Sequence, residues 1–341
     1  MTDATFYARK LAERRAVLAP MAGYTDAPFR RLCREQGSAW AVTEMVSAKG
    51  LVTGNLQGIE IGAPYPGEPD LVIQVFGGEP EIVAAGGRIL YEKYRPAALD
   101  LNMGCPVKKV TGKSCGSKLM LEPERAAAIV RQLNEAVPVP VSAKLRLGFD
   151  TVNVLEVAHA LQEAGAALVA VHGRTAKQKY SGEANWATIK QVADAVSIPV
   201  VGSGDVTTKE QFERYTALGL GVMVARGAVG RPWLFAELRG EAPPDAAEVG
   251  RRAYRHALLH CAWYGDGTRE REVYAMRSLR SQLIKYFAFL PEARPEVVRL
   301  ERLAELRAFI ARWLGVELAE QPANIERQNA SSHAAAPSLR T

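Results

Sequence analysis

Short apolar runs alternate with amphipathic stretches from residue 17 to about residue 240. The runs are nearly continuous rather than alternating apolar and polar, which is typical of parallel strands buried on both faces. We interpret them as eight strands, at residues 17–21, 39–45, 71–77, 97–101, 139–147, 167–172, 198–202 and 221–225.

Most of these strands are followed by a stretch with helical periodicity. The predicted helices cover residues 26–37, 79–94, 123–137, 152–164, 186–196 and 208–218. Asp26 is expected to cap the first helix, with Pro28 in its first turn. The alternation predicts an α/β fold, a (β/α)8 TIM barrel over residues 1–240. An open doubly wound sheet is the alternative, but no Gly-x-Gly-x-x-Gly motif follows the first strand.

The strand pattern stops at Pro243, Pro244 and Asp245. Helical periodicity then covers residues 246–263, 270–289 and 295–314, which predicts a small all-helical C-terminal domain over residues 245–320. From Pro322 the chain is rich in Ala, Ser, Asn and Gln with little apolar periodicity. We therefore expect residues 321–341 to form a disordered tail.

Composition limits the class of protein without defining it. The chain has 341 residues, is 48% hydrophobic and carries a net charge of +6, which permits a polyanionic partner without requiring one. Its four cysteines form no Cys-x-x-Cys pair, so we expect no metal site. Widely spaced thiols, the absence of a signal-peptide core and the absence of a long apolar run predict a cytoplasmic protein without a membrane span. We expect it to be a monomer.

Polar and reactive side chains fall where the predicted strands end. In a parallel barrel these ends meet at the rim that carries chemistry. The expected rim residues are Pro20, Met21, Gln74, Asn102, Cys105, Lys144, Arg146, His172 and Arg174. Two glycine-rich turns, Ser203-Gly204-Asp205 and Ala225-Arg226-Gly227, follow the last two strands, where TIM barrels commonly bind a phosphate group.

Each of these residues also has a purely structural interpretation. Cys105 could be an inert thiol, Gln74 a core amide and His172 a core histidine. Lys144 could form an ion pair, act as a Schiff-base nucleophile or lie beside an anionic ring, and the phosphate site favours the last. A phosphate cradle with one cation, one amide and one histidine suits a phosphorylated planar cofactor, and FMN fits best.

Four motifs resemble those of the tRNA-dihydrouridine synthases, most closely the bacterial B-type branch. They are Pro20-Met21-Ala22-Gly23, Asn102-Met103-Gly104-Cys105-Pro106, Lys144-Leu145-Arg146-Leu147-Gly148 and His172-Gly173-Arg174-Thr175. The resemblance runs through the barrel into the helical domain. It implies that FMN, reduced by NADPH or NADH, passes a hydride to C6 of a D-loop uridine in tRNA. Cys105, as a neutral thiol, would then protonate C5 to complete 5,6-dihydrouridine.

The resemblance also implies which residues bind the cofactor. Asn102 would orient the uracil or the flavin. The residues expected to bind FMN are Pro20, Met21, Ala22, Gln74, Lys144, His172, Ser203, Gly204, Asp205, Ala225 and Arg226. One position departs from the family pattern, because Ser203 stands where the family usually has asparagine. Serine suffices if backbone amides bind the phosphate; if the asparagine side chain is needed, phosphate affinity falls.

The helical domain has a composition that suits an RNA partner. Between Arg251 and Lys285 it has eight Lys or Arg residues and only three acidic ones, with aromatic residues among them. The alternative is a solvated helix face above buried aromatics. The predicted tRNA contacts are Arg277 and Arg280, Arg146 and Arg174 at the rim, and Lys108 and Lys109, with Lys113 extending the same basic surface.

Two other functions remain open from these features. A flavin oxidoreductase of the same barrel class could act on a small pyrimidine, as dihydroorotate or dihydropyrimidine dehydrogenases do. The basic helical domain argues against it, because a free pyrimidine needs no such surface. An RNA-binding protein with an inactive barrel is the third possibility, and the joint presence of Cys105, Lys144 and His172 argues against it.

Overall fold

A computed structural model describes residues 5–112 and 114–319. Lys113 and the tail at 321–341 lie outside the described residues. The eight strands are β1 (Ala16–Leu18), β2 (Val46–Ser47), β3 (Val72–Phe76), β4 (Ala98–Asn102), β5 (Val141–Arg146), β6 (Leu168–His172), β7 (Val200–Ser203) and β8 (Gly221–Val224).

All strand pairs are parallel, in the order β1-β8-β7-β6-β5-β4-β3-β2. The ends of this sheet approach each other through two parallel bridges, Leu18 with Ala41 and Val42 with Val72. The curled sheet is surrounded by helices, which confirms the predicted TIM barrel.

The second strand differs from the prediction. Residues 39–45 form two isolated bridges and a few backbone hydrogen bonds to β1 and to Val72, and the regular strand begins later, at Val46. This apolar run contributes side chains to the core, because Trp40 and Val42 are buried in the interior cluster of the barrel. The apolar pattern therefore predicts correctly that this run is buried, but it does not predict where the regular strand pairing of β2 with β3 begins.

Fifteen α-helices occur in the described part of the chain. They are α1 (Phe6–Glu13), α2 (Ala27–Glu35), α3 (Ala48–Val52), α4 (Leu56–Glu60), α5 (Pro80–Tyr94), α6 (Lys108–Thr111), α7 (Pro123–Ala136), α8 (Val154–Glu163), α9 (Trp186–Ala195), α10 (Lys209–Thr216), α11 (Leu234–Glu237), α12 (Ala246–Tyr264), α13 (Arg269–Tyr286), α14 (Arg294–Val297) and α15 (Leu303–Leu314). Short 3-10 helices cover Gly116–Leu121, Arg226–Ala228 and Pro291–Ala293. Asp26 caps α2 as predicted, because its Oδ1 accepts a hydrogen bond from the Phe29 N–H at 3.0 Å.

The last predicted helix, residues 295–314, is wrong as a single element. It divides into α14 and α15, and Arg302 between them is extended, with φ of −140° and ψ of 151°. Leu300 is buried in this break, so the chain leaves the helical path to bring an apolar side chain into the core. The side chain of Glu305 then accepts a hydrogen bond from the Glu301 N–H at 2.8 Å, before the first turn of α15.

Alternation along the strands separates two apolar layers. One set of side chains packs outward against the helices, as Ile73, Leu99 and Ala143 do. The other set points into the barrel, where Tyr7 of α1 joins it. The interior cluster also contains Phe6, Val17, Ala19, Ala39, Trp40, Val42, Val72, Ala98, Leu168, Ala170, Val201 and Met223. Helix α1 therefore closes the amino-terminal end of the barrel, and the opposite end stays open.

Helices α12 to α15 share a separate hydrophobic cluster and pack against the barrel through α2. The ring of His256 on α12 stacks on Phe29 at 5.7 Å between centroids. His260 Nδ1 lies 2.9 Å from Asp26 Oδ2, so the residue that caps α2 also contacts the C-terminal helices. Across residues 5–319, with 113 excluded, no helix is both long and apolar enough to span a membrane.

Gly202 on β7 provides a test of the packing between strand and helix. A Cβ at this position would lie 2.2 Å from the Trp186 ring, which itself stacks on Tyr215. We expect Gly202→Ala to destabilise the protein by about 1–3 kcal/mol because the Trp186 ring would have to shift from its stack on Tyr215. Gly58→Ala is the matched control, since a Cβ there meets nothing within 4 Å. Denaturant unfolding of both variants would measure this, and equal stabilities would contradict the packing described.

Candidate active site

A cavity of about 1320 Å³ opens at the carboxyl end of the barrel. It exceeds the roughly 300–1,000 Å³ of typical ligand pockets, so it has room for a cofactor and a substrate group together. The predicted site residues that line it are Pro20, Met21, Ala22, Gln74, Asn102, Cys105, Lys108, Lys144, Arg146, His172, Ser203, Gly204, Asp205, Ala225 and Arg226.

Lys144 projects from β5 into this cavity. Burial, reinforced by the charge of Arg146, lowers the pKa of Lys144 to about 8, although Asp100 opposes the shift. No carboxylate of the described chain lies within ion-pair distance of its ammonium group. An incompletely compensated cation in a cavity favours an anionic ligand, because a bound negative charge would replace the missing partner.

His172 ends β6 beside Lys144 and is kept neutral by its surroundings. Burial and then the positive charges of Lys144, Arg146, Arg174 and Arg226 lower the pKa of His172 to about 2. A neutral imidazole can donate from one ring nitrogen and accept at the other. His172 can therefore hydrogen-bond a ligand without adding a charge to the site.

The turn after β7 is held by a buried arginine. Arg174 is 2% exposed, and its guanidinium donates to both Asp205 oxygens, with Nη1 to Oδ1 at 3.1 Å. These hydrogen bonds, together with one from the Ala184 N–H, outweigh partial burial and lower the pKa of Asp205. Gly204 in this turn has φ of +135°, where a Cβ would meet Ala184 at 2.4 Å. The turn therefore keeps an ionised carboxylate beside the cavity in a fixed backbone.

Arg146 joins two of the loops that surround the cavity. Its Nε donates to the Gly104 carbonyl at 2.7 Å, and its Nη1 donates to the carbonyls of Thr175 and Lys179, each at 2.9 Å. A guanidinium has donors in a fixed planar fork, so these bonds set the spacing between the loop after β4 and the loop after β6.

Cys105 lies in the loop after β4, and its backbone is held on two sides. Its N–H donates to Asn102 Oδ1 at 3.1 Å, and its carbonyl accepts from the Ser117 N–H at 3.1 Å. Gly116 has φ of +60°, and a Cβ there would lie 2.8 Å from the Cys105 carbonyl oxygen. The glycine allows residues 116–117 to fold back over Cys105, whose thiol remains partly exposed in the cavity.

Four predicted tRNA contacts do not line the cavity. Lys109 is exposed on α6, and Arg174 is engaged with Asp205 as described. Arg277 and Arg280 lie on α13, where both contact Glu301, Arg277 at 2.9 Å and Arg280 at 3.6 Å. Whether any of these residues contacts RNA stays a prediction.

Several lining residues were not predicted as site residues. They include Tyr24, Met45, Tyr180 and Lys285. The Arg226 guanidinium lies over the Tyr180 ring, 4.6 Å from its centroid. Tyr180 is in the same loop as Arg174, so its position after β6 could have identified it as a site residue. Lys285 belongs to α13, and its approach to the cavity is a tertiary contact that no local pattern in the sequence indicates.

The family model and the relatives found by sequence agree on one family. The family model described as "Dihydrouridine synthase (Dus)" matches residues 17–294. A tRNA-dihydrouridine synthase B of Pseudomonas syringae pv. tomato is 38% identical over 305 residues, 86% of this chain and 88% of that protein. A probable tRNA-dihydrouridine synthase of Aquifex aeolicus is 35% identical, covering 85% of this chain and 93% of that protein. A tRNA-dihydrouridine synthase B of Xanthomonas axonopodis pv. citri is 39% identical over 74% of this chain and 79% of that protein.

The lowered pKa of Lys144 predicts that its charge destabilises the ligand-free fold. We expect Lys144→Met to stabilise the ligand-free protein by about 1–3 kcal/mol at pH 7. The gain should shrink as the pH rises from about 8 towards 10.5, where the wild-type lysine becomes neutral in the folded chain and then in the unfolded chain. Melting temperatures across this pH range would measure it, with the exposed Lys177→Met as control. A loss of stability at pH 7 would show that the ammonium is satisfied in the ligand-free protein.

Proposed function

The chain belongs to the dihydrouridine synthase family, and we propose that it uses FMN and NADPH or NADH to reduce the C5=C6 bond of a D-loop uridine in tRNA. One observation carries the proposal. A partly exposed thiol, Cys105, and a partly buried cation, Lys144, line one cavity that is large enough for a cofactor and a base, and no carboxylate of the described residues lies within ion-pair distance of that cation.

The residues of the cavity fit FMN in charge and in hydrogen bonding. Six Lys or Arg residues line it against a single carboxylate, Asp205, so its potential favours a phosphorylated ligand. Gln74, Asn102 and the neutral His172 supply donors and acceptors that suit the polar edge of a flavin ring. The turns at Ser203–Asp205 and Ala225–Arg226 would bind its phosphate through backbone N–H groups.

The chemical step combines a hydride with a proton. When bound in this cavity and reduced by NADPH or NADH, FMN would supply hydride chemistry for C6 of the uracil. Cys105 donates its thiol proton to C5, and the resulting thiolate is reprotonated from solvent after the product leaves. Lys144 would hold a positive charge beside the bound cofactor, where it would favour a negatively charged form. Because His172 is neutral, it contributes no positive charge to this step.

Asn102 and Arg146 prepare the acid for this step. Asn102 holds the Cys105 N–H, and Arg146 holds the Gly104 carbonyl, so the backbone before and at the thiol is fixed on both sides. A proton donor must lie within hydrogen-bond reach of the atom that it protonates, which requires this kind of backbone control.

The C-terminal helices are the proposed tRNA-binding domain. Arg277 is 58% exposed on α13, and Lys285 of the same helix lines the cavity, so one helix connects an exposed basic surface to the active site. Lys108 and Lys109 on the exposed start of α6 extend this surface around the cavity mouth. The target uridine must leave its stack to enter the cavity, as bases do in other enzymes that modify them.

Cys105→Ala tests the acid directly. We expect the variant to bind FMN and to be reduced by NADPH at the wild-type rate, while dihydrouridine formation falls by at least about 10²-fold because no group protonates C5. Flavin absorbance and mass spectrometry of digested tRNA would measure the two steps. The buried Cys261→Ala is the control and should retain activity. Wild-type turnover by Cys105→Ala would remove Cys105 from this role.

The contacts of Arg277 and Arg280 with Glu301 provide a paired test of RNA binding. We expect the double substitution Arg277→Ala and Arg280→Ala to weaken tRNA binding and to lower its salt dependence by about two counterions, leaving the flavin spectrum unchanged. Glu301→Gln removes the carboxylate charge that opposes both guanidinium groups and should bind tRNA as well as or better than the wild type. Equal affinity and equal salt slopes for all three proteins would place the tRNA elsewhere.

A further inference from the structure

We infer that Asp100, which does not line the cavity, is a positioning residue that determines which way the amides of Gln74 and Asn102 face in the active site. The inference rests on the proposed function only in taking the cavity as the FMN site. It is carried by a chain of buried hydrogen bonds that runs from Tyr7 through Ser142, Asp100, Gln74 and Asn102 to the backbone of Cys105.

The strand register brings these side chains together. Gln74 of β3 lies opposite Asp100 of β4, and Asp100 lies opposite Ser142 of β5. All three are almost fully buried, with exposures of 1%, 3% and 2%. Asn102 lies two residues beyond Asp100 on the same face of β4, and unlike Asp100 it reaches the cavity. Asp100 and Ser142 therefore form a layer directly beneath the residues that would contact a ligand.

At the inner end of this series of hydrogen bonds, Asp100 determines which groups donate and which accept. An ionised carboxylate can only accept, so the Gln74 group facing it at 2.7 Å must be Nε2. The second carboxylate oxygen accepts from the Ser142 hydroxyl at 2.6 Å. Burial raises the pKa of Asp100 above its usual value, and the two donated hydrogen bonds and the charge of Lys144 offset part of that rise in favour of the ionised form.

The peptide N–H groups of the Cys105 loop determine the direction at the outer end. The N–H groups of Gly104 and Cys105 can only donate, so Asn102 must turn Oδ1 towards them. Asn102 Nδ2 then faces Gln74 Oε1, at 2.7 Å, which is the orientation that Asp100 independently requires of Gln74. Both ends agree, so only one arrangement of the two amides satisfies every contact.

An uncharged residue at position 100 would weaken the inner control, and the orientation would then depend mainly on the longer outer hydrogen bonds from the Gly104 and Cys105 N–H groups, at 3.3 and 3.1 Å. An asparagine could turn either its oxygen or its NH2 group towards Gln74, and only the first choice keeps the native arrangement. That choice directs the NH2 group at Ser142, whose hydroxyl can rotate to accept it. Tyr7 donates to the same hydroxyl at 2.9 Å, and burial followed by the charge of Asp100 raises the pKa of Tyr7, so its phenol keeps its proton. Ser142 therefore becomes important only when the charge of Asp100 is absent.

This dependence defines a double-mutant cycle in which neither altered residue touches the cavity. We expect Ser142→Ala to bind FMN within about twofold of the wild type, because the carboxylate still orients Gln74. Asp100→Asn should weaken FMN binding by about three- to tenfold, since neutral hydrogen bonds replace charge-assisted ones. The double variant should weaken it by at least about thirtyfold, more than the product of the two single effects, because an asparagine facing alanine has no preferred orientation.

Fluorescence titration with FMN and the absorption spectrum of the bound flavin would measure these effects. The inference predicts a shifted spectrum for the double variant even at saturating FMN. Only the outer hydrogen bonds through Asn102 then orient Gln74, so it presents a mixture of donor and acceptor to the ring. Independent effects of the two substitutions, or a wild-type spectrum and wild-type turnover at saturating FMN, would overturn it. Asp100 would then act on stability alone.

A measurement on flavin-free protein separates this inference from the proposed function. With ¹⁵N-labelled glutamine, the side-chain NH2 signal of Gln74 can be identified by its loss in Gln74→Glu. We expect slow hydrogen exchange of this NH2 group in the wild type and in Ser142→Ala, and exchange at least about tenfold faster in Asp100→Asn/Ser142→Ala. Equal exchange in all three proteins would overturn the inference. Failure of the wild type to bind FMN, with the expected exchange pattern intact, would count against the proposed cofactor instead.

Discussion

Burial of polar groups inside a closed parallel sheet is the constraint on which this structure depends. A barrel interior excludes water, so each polar side chain placed there needs a partner within the protein or in a ligand. Below the cavity the partners are internal, and Asp100 receives the hydrogen bonds that orient Gln74 and Asn102. At the cavity the balance is left incomplete, because among the described residues no carboxylate lies within ion-pair distance of Lys144. The amides that would contact a ligand are therefore held in fixed orientations, whereas the positive charge of Lys144 remains available to an anionic ligand.

The same constraint explains why the two kinds of arginine at the rim behave differently. Arg146 and Arg174 are buried, and every assigned hydrogen bond from their guanidinium groups goes to loop carbonyls, to Asp205 or to the His172 ring. Arg226 is 58% exposed and shares Asp205 while covering the Tyr180 ring. Charge alone cannot distinguish these roles in a sequence. Burial does so, because a buried guanidinium must satisfy its donors on nearby acceptors, whereas an exposed one can leave part of its donors to solvent.

Much of the fold could be predicted from the sequence, since buried parallel strands and their capped helices leave local signals. Asp26 is one example, because an N-cap needs only its own next three residues. The failures share a different cause. The run at 39–45 is buried without forming a regular strand, and the helix predicted at 295–314 is interrupted so that Leu300 can enter the core. In the site, strand ends located most lining residues, whereas Lys285 arrives from a distant helix and Asp100 acts from beneath the rim.

The packing between the two parts of the chain bears on how an RNA could be read. Asp26 caps α2 and contacts His260 of α12, and Gln282 of α13 lies within 3.5 Å of the Tyr24 carbonyl in the loop that lines the cavity. Lys285 then reaches the cavity from one turn further along α13. An RNA bound on α13 would consequently be held in a fixed relation to Cys105. Choice of the target uridine would follow from the distance and angle between this basic surface and the thiol, rather than from contacts to the base alone.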